Sequence, residues 1–92
     1  MSDDSSNHGQ TPVNFSTFVI SLASSAMVHL GEADDPVTGG RNPNRELASS
    51  TINVLAMLDK KTSGNLDDEE SKLLTTILYD LRMSFVQSEP KS

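Results

Sequence analysis

Apolar residues recur at helical spacing in three stretches of the chain, separated by polar, turn-forming segments. Phe15, Phe18, Val19, Leu22, Ala23, Ala26, Met27 and Leu30 follow an i, i+3, i+4, i+7 rhythm, which predicts a first helix over about 15–30. Asn14 stands where an N-cap belongs, and Gly31 where a glycine closes a helix. Leu47, Thr51, Val54, Leu55 and Leu58, widened by Ala48, Ile52 and Met57, predict a second helix over about 43–62. Lys60 and Lys61 fall in its last turn, where cations complement the helix dipole, and Gly64 follows as the stop. Leu74, Ile77, Leu78, Leu81 and Phe85, flanked by Leu73 and Val86, predict a third helix over about 67–87. Asp67 caps it, Glu70 completes a variant of the capping box, and Asp68 and Glu69 add negative charge at the favoured end.

No segment alternates with period two, so the fold class is all-α, a three-helix chain. The connection over 31–43 carries the turn signals Asp35-Pro36, Gly39-Gly40 and Asn42-Pro43. The connection between the second and third helices is short, which makes them an antiparallel hairpin laid over the first. Residues 1–13 hold too little apolar weight to offset ordering entropy and read as a disordered arm; 88–92 read as a frayed tail. Residues 14–87 form the single helical domain.

Composition sharpens this picture. Of 92 residues, 35% are hydrophobic and none is Trp, so a monomer has a marginal core. A net charge of -6 repels phosphate backbones and argues against direct nucleic-acid binding. The absence of cysteine excludes disulfides, thiol nucleophiles and cysteine-based zinc sites. Met1-Ser2-Asp3-Asp4 is acidic, unlike the start of a secretion signal, and the first helix is too short and too rich in Ser and Thr to span a bilayer. The expected setting is the cytoplasm, with no membrane contact.

Between Ser5 and Gly31 there is no Asp, Glu, Lys or Arg. The face opposite the first helix's apolar stripe carries Thr17, Ile20, Ser21, Ser24, Ser25 and Val28, where a surface helix ordinarily shows charge. Either the helix is central to the fold or this face packs on a second chain. The second explanation also relieves the small core, so a homodimer with these six residues at its interface is expected.

The run Phe15-Ser-Thr-Phe-Val-Ile-Ser-Leu-Ala-Ser-Ser-Ala-Met-Val-His-Leu-Gly31, the Asp35-Pro36 turn, the Leu47 to Leu58 helix, Gly64-Asn65-Leu66 and Leu78-Tyr79-Asp80-Leu81-Arg82 occur in one order. Together they resemble a bacterial family of unknown function, DUF1844, over nearly all of 14–87. The resemblance implies a short bacterial protein and carries no activity, substrate or cofactor. The stretch Val37 to Arg45 is richer in Gly and Asn than that family's turn, which bears on where the second helix starts.

Few residues offer chemistry. His29, Glu32 and Asp35, with Asp34 beside them, are the candidates for a metal or small-ligand site at a subunit interface. One chain supplies one imidazole there, and a helix ending at Gly31 breaks the spacing, so His29 fits better as a cap for the helix end or as a bonding group within an interface. The acids Asp67 to Glu70 lack the ligand spacing of a calcium loop. Ser21, Ser24 and Ser25 have no neighbouring base, and Gly39-Gly40 lacks the Lys-Ser/Thr of a phosphate loop. Tyr79 and Arg82 are candidates for partner binding, or for fixing helix register if Arg82 reaches an acid on another helix. No cofactor is expected, and no enzyme. The expected function is a small adaptor or regulatory protein acting through helical surfaces, on itself and on another protein. The alternative is a metal- or ligand-binding protein built on His29.

Overall fold

A computed structural model describes residues 14–88. The arm over 1–13 and the last residues, 89–92, lie outside them. Three helices pack on one another in every pairing: α1 (Phe15–His29), α2 (Arg45–Lys61) and α3 (Asp68–Gln87). Among the described residues there is no strand.

Each helix begins on a side-chain cap. Asn14 Oδ1 accepts from the Thr17 N–H at 2.8 Å and Asn44 Oδ1 from the Leu47 N–H at 3.1 Å. Asp67 and Glu70 close the full capping box, at 2.8 and 3.1 Å. The second helix therefore starts after Asn44, about where the spacing puts it, because the Asn44 cap holds its own backbone extended.

The end of α1 is closed by a Schellman turn. The Glu32 N–H donates to the Met27 carbonyl and the Gly31 N–H to the Val28 carbonyl, each at 3.0 Å, around a Gly31 φ of +79°. The Asn44 N–H then donates to the His29 carbonyl at 2.7 Å, which fastens the start of α2 to the end of α1. Arg41 crosses the same loop, donating to the Gly31 carbonyl at 2.7 Å and pairing with Asp34 at 2.9 Å.

The core consists of Val19, Ala26 and Leu30 from α1 and its cap, Ala48, Ile52 and Leu55 from α2, and Leu74, Leu78 and Leu81 from α3. Most expected stripe residues join it or pack on its edge. Three differ. Phe18, one residue ahead of Val19 and so about 100° round the helix, is 44% exposed. On α2, Leu47 and Val54 are 48% and 38% exposed, because the inward row is the adjacent one of Ala48, Ile52 and Leu55.

α2 and α3 run antiparallel, as the short connection predicts. Arg45, in the first turn of α2, reaches Phe85 and Ser88 at the far end of α3. Ser88, expected in the tail, instead closes α3, its N–H donating to the Ser84 carbonyl at 2.9 Å.

Candidate functional site

The uncharged face of α1 turns away from the core. Ile20, Ser21, Ser24 and Ser25 are exposed, and Thr17 and Val28 half-buried. Two of its hydroxyls are already satisfied within the helix: Ser21 Oγ donates to the Thr17 carbonyl at 3.0 Å, and Thr17 Oγ1 to the cap Asn14 at 2.9 Å. That lowers the cost of removing this face from water, since those groups keep a partner when solvent leaves.

At the C-terminal half of this face the loop folds back and forms an open groove of 530 Å³. Ser24, Ser25, Val28 and His29 form one wall, and Ala33, Asp35 and Pro36 the other. The groove is in the size range of small-molecule sites and is mostly apolar, with a few polar groups at its edge. Of the three metal candidates, His29 and Asp35 share this groove and Glu32 does not line it. The Schellman turn takes Glu32 off the helix, so the i, i+3 pairing with His29 is lost. Asp35 Oδ1 already accepts the Val37 N–H at 2.8 Å, in a turn closed by the Gly39 N–H on the Asp35 carbonyl at 2.7 Å. No group of three metal-binding side chains forms among the described residues. His29 holds α2 through its backbone carbonyl, and its ring makes no hydrogen bond among the described residues, so its side chain does not act as the expected cap.

Tyr79 and Arg82 lie exposed on α3 and line a second groove, of 450 Å³, floored by Leu78 and walled by Met83 and Val86. Asp59 of α2 stands at its edge. Arg82 forms no ion pair among the described residues. The register role considered for it belongs to Arg45, whose guanidinium lies 3.8 Å from the centre of the Phe85 ring. Arg45 also donates to the Phe85 carbonyl at 3.0 Å and to Ser88 Oγ at 2.7 Å. The last turn of α3 has no basic residue of its own, so α2 supplies the cation its dipole favours. The signal was present in the sequence: an antiparallel hairpin brings the first turn of α2 to a helix end without Lys or Arg.

A family described as "Domain of unknown function (DUF1844)" matches residues 12–87 of the 92. The chain belongs to the DUF1844 family. The match spans all three helices and both connections, in keeping with the resemblance carried by the α1 string and the Leu78 to Arg82 segment. No curated protein and no solved structure matches the chain. No helix of the described residues is long and apolar enough to cross a membrane.

Proposed function

We propose that this DUF1844 protein is a non-enzymatic interaction module of the cytoplasm, a small adaptor or regulatory subunit that pairs with itself and offers a helical face to another protein. The observation that carries the reading is the outer face of α1, six residues without a charge, turned away from the chain's own core. Among the described residues nine large apolar side chains are also exposed, as many as make the core. A core of that size is marginal alone, and burial against a second copy supplies what it lacks. In this reading Thr17, Ile20, Ser21, Ser24, Ser25 and Val28 form the homodimer interface, while Tyr79 and Arg82 serve a foreign partner, as an exposed aromatic beside an arginine suits.

Light scattering on the native chain and on the Ser21→Glu plus Ser25→Glu variant tests this. The reading predicts a native dimer and a variant that dissociates and melts at a lower temperature. An unchanged mass together with an unchanged melting temperature contradicts it.

A second reading is favoured by the groove at His29, which is the right size for a small ligand. Metal analysis of the purified protein tests its metal form, which less than about a tenth of an equivalent per chain rules out. For an organic ligand, NMR shifts at Ser24, Val28 and Ala33 in a fragment screen report binding.

A further inference from the structure

α2 carries a second, outward row that the chain's own core does not use. Leu47, Ser50, Val54, Met57 and Lys61 are all exposed. They are spaced alternately three and four residues apart, the a/d spacing by which one helix packs along another. Leu47, Val54 and Met57 remain 48%, 38% and 49% exposed. The residues flanking this row decide what covers it. Glu46, Asn53 and Lys60 occupy the same flank, seven residues apart, and all three are exposed. Neither Glu46 nor Lys60 takes part in an ion pair among the described residues.

We propose that a second copy of the chain packs its α2 antiparallel on this row, with Glu46 of each copy opposite Lys60 of the other. This rests on the reading that the protein self-associates, but sets the contact on α2 in place of the outer face of α1 and gives it a register. In an antiparallel pair a and d positions share layers, and residues of one flank meet the same flank of the partner helix. That geometry sets Leu47 on Met57 and Ser50 on Val54, each twice by symmetry. The same alignment brings Glu46 to Lys60 at both ends and Asn53 to Asn53 at the centre. A parallel pair would instead set Glu46 opposite Thr51 and join no opposite charges. The occupant that matches the row in both apolar spacing and charge is therefore the row itself, reversed.

Charge exchange tests the register in the full chain. Glu46→Lys and Lys60→Glu each place like charges together at both ends and are expected to weaken the dimer roughly tenfold at low salt, less at high salt. The double variant restores opposite pairs and is expected to recover near-native association. Both changes oppose the α2 dipole, and that effect only accumulates in the double variant, so it cannot produce recovery. A double variant as weak as the single ones, or single variants as tight as the native chain, overturns the register while leaving self-association standing. A native chain that is monomeric at all concentrations overturns both. Since the chain has no cysteine, a short bismaleimide reports geometry directly. Asn53→Cys is expected to form a covalent dimer, and Thr76→Cys, on the exposed side of α3, is not. Equal yields from the two contradict the proposal.

Discussion

The Arg45 guanidinium stacks on the Phe85 ring at 3.8 Å while donating to the Phe85 carbonyl, so one side chain joins the first turn of α2 to the last turn of α3. Three effects coincide there: a cation–π contact, charge on a helix C-terminus, and a hydrogen bond to Ser88. Arg45→Ala is expected to destabilise the fold by about 1–2 kcal/mol, read from the urea midpoint. Arg45→Lys keeps the charge but loses the planar fork and is expected to fall between the two. A lysine variant no better than alanine would place the stabilisation in stacking geometry and not in charge.

Leu55 and Leu74 are fully buried, on α2 and α3. Truncating either to Ala removes apolar area and leaves a cavity, at a cost of about 2–5 kcal/mol. That is a large share of the stability of so small a domain, so thermal unfolding by circular dichroism should shift steeply downward or lose its cooperativity. Met83→Ala, 44% exposed in the single chain, is expected to change stability far less.

The glycines of the first connection separate two costs. Gly31 and Gly39 both have positive φ, +79° and +81°. A Cβ on Gly31 would also stand 3.1 Å from Pro43 Cβ, whereas one on Gly39 meets nothing within 4 Å. Gly39→Ala is expected to cost about 1 kcal/mol, from backbone conformation alone. Gly31→Ala should cost more, because Pro43 is held in place by the neighbouring bond from Asn44 to His29. Equal losses of melting temperature in the two variants would show that the loop yields freely around Pro43.

Asp67 and Glu70 satisfy each other's backbone N–H groups at the start of α3. Asp67→Ala is expected to cost about 1 kcal/mol and Asp67→Asn less, since the amide oxygen still accepts from Glu70. Hydrogen exchange at the Glu70 amide reads this locally: faster in the alanine variant, near native in the asparagine variant.

The helices were legible because each carries its own period and its own cap: Asn14, and Asp67 with Glu70, announce their helices in the sequence. The inward face of α2 was not. Leu47 and Val54 lie one residue from Ala48 and Leu55, so two apolar rows of similar strength run side by side, and periodicity does not say which one the other helices cover. In the fold Ala48 is fully buried in the inner row while Leu47 beside it stays 48% exposed, a matter of packing and not of pattern. The outer face of α1 was visible from a single feature, the missing charges between Ser5 and Gly31. The groove beside His29 was not, since it exists only because Ala33 to Pro36 fold back along α1. Arg82 draws the eye because it stands beside the apolar stripe of α3, whereas the hairpin brings Arg45 to a helix end with no basic residue in its last turn.

Self-association is the claim on which the functional reading depends. Sedimentation equilibrium of the full chain from micromolar to millimolar concentration tests it most directly. The mass is expected to rise with concentration toward twice the 9.9 kDa of one chain. A mass of 9.9 kDa across the whole range would contradict it, leaving the uncharged face of α1 and the outer row of α2 open to water in the native protein.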